Sequence, residues 1–342
     1  MAYSQRHPAI GTKSSGIVMR PMKMQSDWRW QGGFFLIAAV FSATVFSAMA
    51  PIAHGGSTLD LIRVETEDKQ ALNGLLWTPQ TRGDSLVILV PGATTGAALI
   101  PSHDYYPMAT GLTDKGYTFL IANMRAAYNY PYAEYSDATK DVAAFVAYAK
   151  AQGYTRIAIF GISLGGPRMA QYMAERNDPA VKAVGFIASI PSPYLEFQVR
   201  STPAERKRLD DWLQHARDLV AQGKGQEPMA FENWFPDGRS FMGTAQSMIS
   251  FFGAPSDKGS PSSVKYGPQI KVPALVIHGD KDEISFPPNA KAIYDSLTAS
   301  PQRDLIWVPG ASHYLTPGPI AEAYAKNITA WLVKNMPAGK RP

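Results

Sequence analysis

No cysteine occurs anywhere in the chain. That excludes disulfides, thiolate metal sites, a cysteine nucleophile and the lipid-bearing cysteine of a bacterial lipoprotein. Charge is sparse too: 18% of residues are charged against 45% hydrophobic, the balance of a globular chain rather than a disordered one. Histidine is scarce, six in 342 residues, and neither an H-x-x-x-H pair nor a D-x-D-x-D-G run is present. A metal site is therefore not expected. The formal charge of +5 is local. Arg6, Lys13, Arg20, Lys23 and Arg29 face one acidic residue in the first fifty positions, so that segment carries +4 of it. The remainder is near neutral and has no basic-aromatic cluster, so no nucleic-acid surface is expected.

What is there begins with that N-terminal segment. A basic, polar stretch precedes an apolar run from Phe34 to Ala50, the order of an export signal. Ala48-Met49-Ala50 offers an A-x-A cleavage site, although Pro51 directly after it would hinder a peptidase, and Val45-Phe46-Ser47 is a second candidate. A start at Met22 or Met24 would give a signal of more ordinary length. The run is also nearly long enough to span a bilayer. Export to the periplasm or medium is the expectation, with an uncleaved membrane anchor as the alternative, and residues 1–53 form this unit.

The body alternates. Leu61–Glu65 and Ala71–Trp77 look like opening antiparallel strands, and Ser85–Val90 is apolar throughout, as a strand covered on both faces should be. Thr118–Ala122, Ile157–Phe160, Val181–Ala188, Pro273–His278 and Leu305–Val308 read as further strands of a mostly parallel sheet. Ala138–Ala151 and Ile320–Asn335 read as helices. Strands alternating with helices predict a doubly wound α/β fold with its ligand at the strand carboxyl ends. The alternation breaks at 191–272, which divides the fold into 54–190 and 273–342. That insertion mixes a charged helix (Pro203 to Gln222) with Phe231, Trp234, Phe235, Phe241, Met242, Met248, Phe251 and Phe252. Ser256 to Tyr266 reads as a hinge or a loop.

One motif names a chemistry. Gly161-Ile162-Ser163-Leu164-Gly165 sits between a strand and a helical pattern, the setting of a strained turn that exposes a serine hydroxyl. Glycines fit there because flanking side chains would strike the strand and helix. Pro167 suits a first helical turn. Downstream, Gly279 ends a strand and leads to Asp280 and Asp282, and Val308 ends another before Pro309-Gly310-Ala311-Ser312-His313. With serine, aspartate and histidine in that order, each just past a strand, the chain resembles the α/β-hydrolase superfamily of serine esterases and lipases. The resemblance spans roughly residues 60–336 and includes Pro91-Gly92-Ala93, similar to the family's His-Gly-x turn with proline in place of histidine.

The resemblance implies roles. Ser163 would be the nucleophile, His313 the general base and then acid, and Asp282 the carboxylate that orients the ring. The family sets this acid three residues after the strand-ending glycine, which favours Asp282 over Asp280. The backbone amides of Leu164 and Ala93 would form the oxyanion hole. No cofactor is implied. Asp282 could instead cap the helix that begins at Pro287, and His313 could be a surface histidine. His278 fits a hydrogen-bonded structural role, and His103 and His215 belong to no motif. Insertions such as 191–272 are caps over the site in this family. Its aromatics could line a pocket for an apolar or aromatic group on a small ester, or only fill the cap's own core. Carboxylic-ester hydrolysis through an acyl-enzyme leads the readings. Amidase, peptidase, acyl-transferase or perhydrolase chemistry is the alternative, and a non-catalytic binding protein the remote one. The missing cysteine excludes the dienelactone-hydrolase variant, and serine at 163 argues against haloalkane dehalogenases and epoxide hydrolases, which need aspartate there.

Overall fold

The computed structural model describes residues 52–54, 57–92, 105–129, 132–233, 238, 240–257, 259–315 and 318–339. The chain divides into Met1–Met49 and Ala50–Pro342, and every described element belongs to the second unit. Residues 1–51, which hold the expected export signal, and Ala93 lie outside the described residues.

Eleven strands are described: β1 (Ile52–His54), β2 (Ser57–Glu65), β3 (Ala71–Thr78), β4 (Ser85–Val90), β5 (Thr118–Ala122), β6 (Arg156–Ile162), β7 (Val181–Ile187), β8 (Pro228–Phe231), β9 (Phe241–Thr244), β10 (Ala274–Gly279) and β11 (Arg303–Val308). Nine of them form one sheet in the order β1-β2-β3-β5-β4-β6-β7-β10-β11, and β8 and β9 make a separate ribbon. From β5 to β11 all neighbours are parallel, and the first three strands are antiparallel. Alternation along the strands explains the layering. In β4, Leu86, Ile88 and Val90 face one apolar cluster while Val87 and Leu89 face the other. A strand buried on both faces reads as a near-continuous apolar run, as β4 does after Ser85.

Helices cover both faces: α1 (Tyr106–Thr113), α2 (Ala126–Asn129), α3 (Ala138–Ala151), α4 (Gly165–Arg176), α5 (Pro193–Arg200), α6 (Pro203–Ala221), α7 (Ala245–Phe252), α8 (Ser263–Tyr266), α9 (Pro287–Ser296) and α10 (Pro319–Asn335). Buried residues of α3, α4 and α9 join the cluster on one face of the sheet, and those of α1 and α10 the cluster on the other. The chain leaves β4 for β5 on one side and β6 for β7 on the other. That reversal opens a crevice at the carboxyl ends of β4 and β6, where an open α/β sheet binds its ligand. Gly92 and Ser163 stand there.

Residues 191–272 build a third apolar cluster from α5, α6, α7 and the β8–β9 ribbon. Capping boxes fix two of these helices, Thr202 with Glu205 on α6 and Thr244 with Ser247 on α7. Beside these helices the segment carries the β8–β9 ribbon, whose strands are only four residues long, too short for a clear alternation in the sequence. Ser256–Tyr266 is likewise not all loop. Ser262 accepts from the Lys265 amide and starts α8, and Tyr266 reaches the main sheet cluster.

Candidate active site

At the end of β6 the backbone turns sharply into α4. Ser163 has φ 51°, in the left-handed region that side chains with a Cβ seldom adopt. Such a conformation costs about 1–3 kcal/mol and persists only where its surroundings enforce it. Its amide donates to the Ile187 carbonyl of β7 at 2.9 Å. The glycines make the turn sterically feasible. A Cβ on Gly161 would strike the Gly165 carbonyl oxygen, and one on Gly165 would strike that of Val90.

Ser163 Oγ lies 2.9 Å from His313 Nε2, and His313 Nδ1 lies 3.0 and 2.9 Å from the two Asp282 carboxylate oxygens. With Nδ1 as the protonated nitrogen, the ring donates to Asp282 and accepts from the serine hydroxyl. Three residues distant in sequence thus form one chain of hydrogen bonds. Asp282 is buried, and its Oδ1 also accepts from the amides of Ile284 (2.9 Å) and Ser285 (2.7 Å). It does not cap α9, whose N-cap position is Phe286 without a side-chain bond. Asp280 takes another part: exposed, it accepts from the Gly310 amide at 2.6 Å. Leu164 is buried at the start of α4, where the first amides lack an intrahelical acceptor and face outward as donors. Gly92 abuts the serine: a Cβ on it would come 3.2 Å from Ser163 Cβ.

The surroundings hold this arrangement from several sides. His278 is buried, with Nε2 at 2.7 Å from the Ser285 carbonyl and 3.3 Å from Asp282 Oδ2. Burial pushes its imidazole below the usual value against the pull of Asp282, so the ring stays neutral and donates to Ser285. Ser285 Oγ in turn donates to the Ser189 carbonyl at 2.8 Å. Glu196 of α5 is a carboxyl group near this acid loop. It is 4% exposed, its Oε2 accepts from the Asn289 amide, and its Oε1 has no partner among the described residues. Burial raises its pKa to about 8, with Arg200 opposing and the Asp282 charge adding to the rise. Glu196 is therefore a neutral acid at pH 7.

The aromatics of 191–272 mostly pack on one another. Phe241 and Phe252 stand edge to face at 4.6 Å, and Trp212 and Phe231 at 5.0 Å. Leu164 belongs to the same cluster, which carries the apolar core of this segment onto the turn beside Ser163. Trp234 and Phe235 lie outside the described residues, and Met242 is exposed. Glu196, Ser189, Arg168 and Tyr135 were not singled out in the sequence. Arg168 had a signal: a cation in the first turn of a helix, just past the Gly161–Gly165 turn, where the helix dipole disfavours positive charge.

No protein-family model matches the chain, and no curated protein does. Solved structures do. The chain is similar to the esterase domain of a Rhodothermus marinus protein, at 17% identity and a TM-score of 0.55, over 81% of this chain and 98% of that one. It is similar to the α/β hydrolase GrgF from Penicillium sp. sh18, at 16% identity and a TM-score of 0.61, over 81% and 99%. The chain has the α/β-hydrolase fold. The same fold is shared with the dipeptidyl peptidase 4 of Porphyromonas gingivalis, at 15% identity and a TM-score of 0.53, over 82% of this chain but 36% of that one. The resemblance carried by the Gly161–Gly165 turn and the ordered acid and base is thus met at the level of architecture: a mostly parallel sheet with helices on both faces.

Proposed function

We propose that this chain is a serine hydrolase that cleaves carboxylic esters. The observation that carries the reading is the unbroken chain Ser163 Oγ–His313–Asp282, with the serine at a left-handed turn between strand and helix. In the proposed reaction Ser163 Oγ attacks the ester carbonyl carbon and gives its proton to His313 Nε2. Asp282 keeps Nδ1 protonated and stabilises the imidazolium. The carbonyl oxygen becomes an oxyanion facing the Leu164 amide and, as second donor, that of Ala93. Collapse breaks the bond to the alkoxide, which takes the proton from His313 and leaves an acyl-enzyme. Water then repeats the sequence, losing its proton to His313, and the acid departs with Ser163 restored.

An apolar or aromatic group on the ester is part of the proposal, supported by the apolar cluster that reaches the turn through Leu164. Export is proposed on the sequence of the first fifty residues alone.

Labelling with a fluorophosphonate, wild type against Ser163→Ala, tests the nucleophile, and a panel of p-nitrophenyl esters of varied acyl length tests the reaction. Labelling abolished in the variant together with ester turnover is expected. Persistent labelling in Ser163→Ala would overturn the assignment, and labelling without turnover of any ester would favour amide or transfer chemistry.

A further inference from the structure

Behind the serine turn lie three polar side chains that the proton relay does not use. Arg168, in the first turn of α4, is 2% exposed, and its Nη1 donates to the carbonyls of Pro91 at 3.1 Å and Gly92 at 2.8 Å. Its guanidinium also lies over the Tyr135 ring, 5.1 Å from the centroid. Tyr135, buried and held un-ionised by that burial, donates to the Leu164 carbonyl at 2.5 Å. Ser189 Oγ donates to the Ser163 carbonyl at 3.0 Å.

The fold goes to some length to place Ser189. Ala188 just before it has φ 42°, a second left-handed residue without the freedom of glycine, and its amide is tied to Ile277 of β10 at 2.9 Å. Gly166 leaves the room: a Cβ there would strike Ser189 Oγ. Arg168 is as unusual. Burying a guanidinium is costly unless a counter-charge repays it, yet among the described residues no carboxylate pairs with it directly, and Asp141, the carboxylate that feels its charge, is already paired with Arg125. Its partners are two carbonyls and a ring. A purely structural tie between α4 and the Pro91–Gly92 turn would not need a charge.

Peptide geometry connects these groups to the chemistry. A planar trans unit points its N–H opposite to its C=O. A side chain that grips the carbonyl from behind therefore aims the amide at the other end of the same unit, and polarises it. For the Ser163–Leu164 unit the gripping group is Ser189, and the amide is that of Leu164. Arg168 grips the carbonyl of Gly92, which abuts Ser163.

We infer that Arg168 and Ser189 are positioning residues for the oxyanion site, Ser189 through the Ser163–Leu164 peptide and Arg168 through the Pro91–Gly92 turn. Tyr135 braces the pair, stacking under Arg168 while fixing the next carbonyl along, that of Leu164. The charge of Arg168 adds to the field in which the oxyanion forms, and fixed donors and charges aimed at such an oxygen contribute most in the transition state. This inference rests on Ser163 as the nucleophile.

The test uses Arg168→Met, Arg168→Lys and Ser189→Ala, each read by fluorophosphonate labelling rate, by kcat and KM on the best p-nitrophenyl ester, and by Tm. Arg168→Met is expected to lower kcat about 100-fold, the scale of a lost oxyanion donor, with KM within about twofold and the labelling rate falling in parallel. Arg168→Lys should restore a large part of kcat, because the charge returns. Ser189→Ala removes one hydroxyl and should lower kcat about tenfold with little change in Tm, which keeps the test open should Arg168→Met not fold. A kcat preserved in folded Arg168→Met or Ser189→Ala would overturn the inference. So would a loss that appears in KM instead, or a Lys variant no better than Met. Failure of the underlying reading looks different: wild type itself would then show no Ser163-dependent labelling.

Discussion

Replacing Glu196 by glutamine should make the protein more stable in alkali and leave it nearly unchanged in acid. The carboxyl group is 4% exposed and has one oxygen without a partner among the described residues. Its pKa rises from 4.5 to about 8 on folding. A raised folded-state pKa means that the folded chain holds this proton over a range where the unfolded chain has released it. Stability from Glu196 is thus fully present below about pH 4.5, falls as pH climbs to about 8, and stays low above that. At about 1.4 kcal/mol for each pH unit of that window, the loss amounts to about 3–5 kcal/mol. Glutamine cannot ionise, and its amide oxygen can still accept from Asn289. Urea unfolding of both proteins at steps from pH 5 to pH 9 isolates the residue, because titrating groups not coupled to Glu196 cancel in the difference. The variant should track wild type within about 1 kcal/mol at pH 5 and exceed it by about 3–5 kcal/mol at pH 9. A difference that is flat across this range, or one that falls with pH, would refute the argument that the folded protein carries Glu196 as a neutral acid.

The acid of the proposed relay can be separated from its neighbour: Asp282→Asn should cut kcat about 10³–10⁴-fold on a p-nitrophenyl ester, while Asp280→Asn should stay within about tenfold, and equal losses would leave the assignment unsupported. His278→Leu leaves the buried Ser285 carbonyl without its ring donor and should cost about 1–3 kcal/mol in urea unfolding; no loss of stability would mean that the bond contributes nothing. Gly165→Ala drives a methyl group into the Val90 carbonyl oxygen and should destabilise by about 1–3 kcal/mol or more, measured as a lowered Tm; a variant as stable as wild type would show that the turn has slack.

The sheet was legible because its strands are extreme cases. Ser85–Val90 has no polar residue after its first, and only a strand covered on both faces tolerates that. Ser163, Asp282 and His313 could be singled out because each follows a strand end in the order of the family the chain resembles, although the strand before His313 is a half-buried edge strand with Arg303 and Asp304 at its start. The β8–β9 ribbon could not be read, since four-residue strands carry too little alternation to stand out from a loop. Glu196 and Ser189 escaped for a different reason. Their environment comes from elements far apart in sequence: Asn289 lies 93 positions from Glu196, and Ser163 lies 26 from Ser189. Local pattern carries no trace of such partners. Arg168 is the instructive middle case, a cation in the first turn of a helix, visible as an anomaly but not as a contact.

The two loops that carry Asp282 and His313 are joined by more than their side chains. Backbone bonds run from Asp280 to Val308 (3.3 Å) and from Lys281 to Ala311 (3.0 Å), the Gly310 amide meets Asp280, and the His313 amide meets Glu283 at 3.3 Å. Ser163, by contrast, is anchored to β7 and α4. Acid and base therefore share one stapled pair of loops, and the serine turn is tied to the acid side of that pair through Ser285 and Ser189. The carboxylate is thus the member of the relay bound to both neighbours by more than its own side chain.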